Sequence, residues 1–174
     1  FVPMIEALSG RDWGDRSAAT QLDKSQGALV PTPATVASQA FPRELALRAQ
    51  GVQVQAQACT GLVDAIEENN GPLIQQLVEF HVEQLLQAMP APNAAVLGCT
   101  HYPLIQAQFE QALGPEVRII SQPSLVAESL HDYLQRHPQM QGAPTSAFLT
   151  TGHAERVSEQ ASRFMGRALN FQGI

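Results

Sequence analysis

Residues 94–105 read Ala94-Ala95-Val96-Leu97-Gly98-Cys99-Thr100-His101-Tyr102-Pro103-Leu104-Ile105. The first four side chains are apolar and Gly98 closes the run, as in a short strand buried inside a sheet. Pro103 suits the first turn of a helix, and the pattern over 103–113 ends at Gly114-Pro115, where a helix stops. The stretch is a strand passing into a helix, with Cys99, Thr100 and His101 in the turn between. The same junction recurs on both sides. Apolar runs bounded by turn residues fall at 27–30, 52–58, 117–121 and 147–150, with helical patterns between them at 34–48, 73–89, 125–134 and 154–167. The clearest helix is 73–89: Pro72 suits its first turn, Ile74, Leu77, Val78, Val82 and Leu85 share one face, and Pro90 stops it. Pro42 marks a kink or boundary inside 34–48. Strand followed by helix, about five times over, predicts an α/β fold with a mostly parallel sheet and helices on both faces. Residues 9–26 are largely polar and 138–146 are rich in Pro, Gln and Gly, so both read as surface loops.

The chain has 174 residues, 44% of them hydrophobic, enough for one globular domain or two small ones sharing an interface. Its formal charge is -6 and its ten Lys and Arg are scattered, which argues against a nucleic-acid or anionic-membrane surface and for a small-molecule or protein partner. No apolar run is long enough to cross a bilayer, and Phe1-Val2-Pro3-Met4-Ile5-Glu6 lacks the flank and cleavage site of a signal peptide. A soluble, cytoplasmic protein with reduced Cys59 and Cys99 is expected. The start at Phe1, inside an apolar stretch, predicts a longer protein upstream.

In open α/β sheets ligands gather beyond the carboxyl ends of the strands. Four such turns carry small polar residues: Thr32-Pro33-Ala34-Thr35, Cys59-Thr60-Gly61, Cys99-Thr100-His101 and Ser121-Gln122-Pro123-Ser124. A cysteine facing the free amides of a following helix favours the thiolate, the form that takes up protons. Thr100 is placed to cap that helix or to donate to a carboxylate, and His101 to hold or relay a proton. On residue types alone a second reading stands equally: a small core cysteine, a capping threonine and a solvent-facing histidine. No metal is expected, because Cys-x-His is poor ligand spacing and His81, His131, His137 and His153 supply no second close pair. His81 falls on the apolar face of its helix and is expected in the core or an interface.

Residues 98–105, preceded by their strand, resemble the second cysteine motif of the aspartate/glutamate racemase superfamily, and the His after Cys-Thr points to the glutamate racemase branch. Val30-Pro31-Thr32-Pro33-Ala34-Thr35-Val36 resembles the family's Ala-Thr-Pro-Gly-Thr loop. Gln57-Ala58-Cys59-Thr60-Gly61-Leu62-Val63 resembles its Ala-Cys-Pro run, followed by a short helix that here ends in Glu67-Glu68. Arg118-Ile119-Ile120-Ser121 resembles the strand that leads back to the first lobe, and Thr150-Thr151-Gly152-His153-Ala154-Glu155-Arg156 the Thr-Gly-Asp segment near the family's C-terminus. The resemblance spans essentially the whole chain.

It implies interconversion of L- and D-glutamate by two thiols on opposite faces of the α-carbon, supplying D-glutamate for peptidoglycan and the cell wall. No cofactor is implied; a pyridoxal phosphate lysine is not required, and Lys24, the one lysine, sits in a polar stretch. Carried over by motif, Cys99 is a catalytic acid/base, His101 assists its proton handling, and Glu67 is the acidic residue after the Ala-Cys-Pro helix. Thr100 is a donor to substrate, and Thr32 and Thr35 lie near its carboxylate and amine. Cys59 is not one of the catalytic pair and reads as a buried structural thiol. The family's Asp-Ser-Gly loop, Pro-Tyr-Gly segment and first catalytic cysteine in Cys-Asn-Thr do not occur here. Pro31 stands for the usual Ala, Thr60-Gly61 for the usual Pro, and Arg11-Asp12-Trp13-Gly14-Asp15-Arg16 lengthens a spacer.

The expected architecture is therefore 1–123 as the second lobe of a two-lobed, pseudo-symmetric racemase and 124–174 as the segment that completes the first lobe. The chain by itself is expected to be inactive. Its implied partners are glutamate, the missing N-terminal half and, as an open option, a second copy in a homodimer; nucleic acid and membrane are not among them. Two alternatives stay open: an aspartate or other two-cysteine racemase, and a non-catalytic binding domain of the same fold.

Overall fold

The computed structural model describes residues 2–9, 20–142 and 146–174, which form two compact units, one ending at Tyr133 and one running from Leu134 to Ile174. In the first unit α1 (Val2–Ser9) precedes β1 (Thr20–Pro31), α2 (Pro33–Ser38), α3 (Ala40–Arg48) and β2 (Ala49–Ala56). Then come α4 (Leu62–Glu67), α5 (Gly71–Ala88), β3 (Ala94–Gly98), a 3₁₀ helix (Tyr102–Ile105), α6 (Gln106–Leu113), β4 (Arg118–Ile120) and α7 (Gln122–Arg136), of which the residues up to Tyr133 belong to this unit. The four strands pair in parallel in the order β2-β1-β3-β4.

The central strand explains the layers. All five residues of β3 are buried, as in a parallel strand covered on both faces. Ala94 and Val96 join Leu29 and Ile120 on one face, under Met4, Ile5 and Leu8 of α1 and Phe41 and Leu45 of α3. Successive side chains alternate across a strand, so Ala95, Leu97, Ala28 and Val30 serve the opposite face, where α5 lies against β2 and α6 against α5. The face read from the sequence of α5 is the one that turns inward: Ile74, Val78, Val82 and Leu85 are buried.

Gly98 is required by close approach. It pairs with Pro31, and a Cβ on it would stand 3.1 Å from Pro31 Cβ and 3.2 Å from both Pro31 Cα and Leu29 Cδ1. Backbone cannot step aside as a flexible side chain can. Gly98→Ala is expected to cost ~1–3 kcal/mol, read as a lower denaturation midpoint with an unchanged helical spectrum.

Several expectations need correction. Residues 20–26, read as loop, are strand: Thr20 pairs with Ala49 and Gln21 with Gln50, with an irregularity before Ser25 meets Val52. Pairing with β2 overrides the polar composition, and Lys24 lies in this strand. Residues 10–19, which hold the Arg11–Arg16 spacer, lie outside the described residues. The 34–48 helix breaks at Gln39, whose left-handed φ of 51° closes α2 and opens α3. Pro42 sits in the first turn of α3, where its missing N–H costs nothing, and not at the break. The helix expected over 103–113 begins as the 3₁₀ turn and becomes α-helical only at Gln106.

The fifth strand does not join the sheet. In the second unit β5 (Leu149–Thr150) pairs in parallel with β6 (Gln172–Gly173), a strand the periodicity did not reveal. Pro138–Met140 is a 3₁₀ turn within a segment read as loop; residues 143–145 lie outside the described residues. The last helix, α8 (Ala154–Met165), ends at left-handed Gly166. Its serines tie it to the segment that leads into β6: Ser162 Oγ accepts from Leu169 N at 2.8 Å and Ser158 Oγ from Phe171 N at 2.8 Å. Among the described residues no helix is long and apolar enough to cross a membrane.

Candidate active site

Three of the four polar turns meet at one edge of the sheet. Pro31 and Gly98 are paired, so Thr32 and Cys99 leave β1 and β3 side by side. On the other side of β1, Cys59 N donates to Pro31 O at 3.0 Å, which brings in the turn after β2. The fourth turn lies further back, because β4 ends with Ile120 opposite Val96 and α7 begins at Gln122.

Cys99 is 8% exposed, and its Sγ lies 3.9 Å from Nδ1 of His101. The other ring nitrogen, Nε2, is 3.1 Å from Oε1 of Glu67, the last residue of α4. A carboxylate only accepts, so Nε2 carries the proton and donates it to Glu67. The lone pair of Nδ1 is thereby turned to the thiol, which donates to it. Three sequence-predicted residues thus form one line, Glu67, His101 and Cys99, although 34 residues separate the first two.

The arrangement corrects two expectations. Thr100 is exposed and caps nothing: the 3₁₀ helix starts at Tyr102 with His101 in the N-cap position and no side-chain cap bond. His101 uses its ring on Glu67 and Cys99 instead. Nor does an α-helix begin directly beside Cys99, since the 3₁₀ turn intervenes, so the group facing the thiol is an imidazole and not a row of helical amides.

Thr32 does cap a helix. Its Oγ1 accepts from Thr35 N at 3.4 Å and lies 3.1 Å from Thr35 Oγ1, so the two half-buried hydroxyls stand together at the start of α2. Next to Cys99 in register, they line the same edge.

Cys59 is 2% exposed and donates to Gln57 O at 3.6 Å. Burial pushes its thiol up to about 12, with the hydroxyl of Tyr102 working against the rise and Cys99 adding to it. A thiol with a raised pKa is held in its protonated form by the fold. That contribution is full below the ordinary value of 9.0 and is lost as pH rises toward about 12. Melting temperature is therefore expected to decline over this alkaline window, and Cys59→Ala to flatten the decline. β1 runs between Cys59 and Cys99, and two strand spacings of ~4.8 Å exceed the ~7 Å that a disulfide spans between Cα atoms. Both cysteines are free. Among the described residues no group of three or more His, Cys, Asp and Glu is placed to hold a metal ion.

Two supporting residues had no assigned role. Tyr102, fully buried, donates from its hydroxyl to Cys59 O at 3.3 Å, and burial, then the neighbouring cysteines, push its phenol well above the usual range. His81 is 5% exposed, in the core as its helical face predicts, and its Nε2 donates to Thr60 O at 3.1 Å. A polar tip on an inward-facing position was the available signal for both.

No protein-family profile matches the chain. The glutamate racemase of Paracoccus denitrificans is 59% identical over 173 residues, covering 99% of this chain and 64% of that protein. Among solved structures, glutamate racemase isoform RacE1 of Bacillus anthracis superposes with a TM-score of 0.82 at 23% identity, over 99% of this chain and 62% of its own. The glutamate racemase of Francisella tularensis in complex with D-glutamate gives 0.80 at 18% identity, over 99% and 61%. At such identities the structures speak for the fold alone. In sequence and in fold the chain is similar to the glutamate racemases, over a stretch that spans less than two thirds, 64%, of its relative's length.

Proposed function

We propose that the full-length protein interconverts L- and D-glutamate without a cofactor, and that Cys99 is one of its two acid/base thiols. The observation that carries this reading is the line from Glu67 through His101 to Cys99. His101 Nδ1 takes the thiol proton, and Glu67 stabilises the imidazolium that results, as a third group orients the base in catalytic triads. The thiolate then removes the α-proton of one enantiomer while the opposite thiol protonates the other face. In the reverse direction Cys99 delivers its proton to the carbanion and is reprotonated from His101. Protons balance in both directions.

The same line would also activate a cysteine for nucleophilic attack; the kinship with glutamate racemases favours proton transfer. Thr32 and Thr35, beside Cys99 at the head of α2, are suited to the α-carboxylate and amine, and the exposed Thr100 hydroxyl to donation as charge develops at the α-carbon. The product D-glutamate would serve peptidoglycan synthesis in the cytoplasm.

The second thiol belongs to the part of the protein that this chain does not span. In this reading 1–123 form the lobe bearing Cys99, and 124–174 return to complete the other lobe. The second unit is short of a core of its own: its strands have two residues each, no residue of α8 is fully buried, and Leu149 and Ile174 are 50% and 79% exposed. Further strands from the missing part are the natural cover.

The test is deuterium incorporation at Cα, followed by NMR with full-length enzyme in heavy water. Exchange of both L- and D-glutamate, far faster than of aspartate, is expected. Faster exchange of aspartate would overturn the substrate assignment, and glutamate binding without exchange would favour the binding-domain alternative.

A further inference from the structure

The turn that launches α4 is held by side chains the proton relay does not use. Its two successive carbonyls are each engaged: Cys59 O accepts from Tyr102 Oη at 3.3 Å and Thr60 O from His81 Nε2 at 3.1 Å. A third tie runs from Cys59 N to Pro31 O. Directly afterwards Gly61, at φ 79°, swings the chain into α4, and α4 ends six residues later at Glu67. A helix of under two turns has little freedom along its length, so its carboxyl end goes where its first turn is set.

His81 is a costly residue for its position. It is buried, and Nδ1 has no hydrogen-bond partner. Because a carbonyl only accepts, the proton sits on Nε2 and Nδ1 is left as a bare acceptor away from water. A leucine would fill the space without that defect. What the imidazole adds is the hydrogen bond to Thr60 O, beside an edge contact with the exposed ring of Phe80.

We infer that His81, together with Tyr102, is a positioning residue that sets the first turn of α4 and so keeps Glu67 within hydrogen-bond distance of His101. Tyr102 follows His101 in the chain, so its bond to Cys59 O ties the launch of α4 to the segment that bears His101. His81 ties the same turn to α5, the longest helix of the unit. Both ends of the Glu67–His101 contact are thereby mounted on one frame. This inference rests on the relay proposed above.

The test uses full-length enzyme and primary isotope effects on kcat/KM, measured separately with α-deuterated L- and D-glutamate. Cys99 takes the proton from one enantiomer only, so damage to its relay must show on one side. Glu67→Gln identifies that side by raising its isotope effect. His81→Leu is expected to lower kcat/KM roughly 10-fold, as a small misplacement of a catalytic group does, and to raise the isotope effect for the same enantiomer alone. His81→Gln, which keeps an N–H donor at similar reach, is expected to restore both. If His81→Leu does not fold, Tyr102→Phe, which removes the other tie, carries the same expectations. A lower melting temperature with both isotope effects unmoved, while Glu67→Gln moves one, overturns the positioning role alone. No effect of Glu67→Gln on either direction overturns the relay and this inference with it.

Discussion

Cys99→Ala in the full-length enzyme is expected to abolish racemisation in both directions, lowering kcat by ~10⁴-fold, the upper range for loss of a general acid/base. Both directions fail together because each thiol acts once as base and once as acid. Alanine has no proton to give and no lone pair to receive one. The position is 8% exposed and the change removes a single sulfur, so the fold is expected to persist. Polarimetry on L- and D-glutamate, with far-UV circular dichroism as control, measures both. Racemisation at the wild-type rate would refute the role given to Cys99. Cys59→Ala is the contrasting variant: Cys59 faces Gln57 O and not His101, so its loss is expected to leave turnover close to that of the wild type.

Phe109→Ala is expected to be the most destabilising of these changes, by ~3–5 kcal/mol. Phe109 is fully buried on α6 and its ring centroid lies 5.6 Å from that of Tyr102, tilted by 43°. Truncation leaves a cavity against the 3₁₀ helix, which the surrounding backbone can close only in part. A loss of this size is a large share of the ~5–15 kcal/mol that holds an ordinary domain. Urea denaturation would show it as a lower midpoint, and Phe109→Leu as a much smaller decrease. The site is affected as well, because the ring of Tyr102 loses its neighbour. A midpoint unchanged in Phe109→Ala would mean that α6 contributes little to the core.

Much of the fold is legible in local pattern. Five consecutive apolar or small residues make β3, and a 3.6-residue spacing makes α5, because both signals come from neighbours along the chain. The motif Gly98-Cys99-Thr100-His101-Tyr102-Pro103 marks the reactive turn without any structure. What local pattern hid was set by partners far away in sequence. Residues 20–26 are largely polar and become strand because β2 pairs with them; β6 is two residues long and exists only against β5. Gln39 breaks a helix that composition would have continued.

The site divides in the same way. Cys99 and His101 stand two residues apart in a strand-to-helix turn by sequence alone, and resemblance assigned the acidic residue to Glu67, with Glu68 beside it. That Glu67 reaches His101 follows from packing between distant segments. Successive residues at a helix end point about 100° apart, so just one of two adjacent glutamates can face a given neighbour, and which one depends on how α4 is mounted over the sheet edge. That mounting is made by Tyr102 and His81 acting on Cys59 O and Thr60 O, contacts that span 43 and 21 residues. The identity of the reactive residues is local information, whereas the direction in which they point is a property of packing.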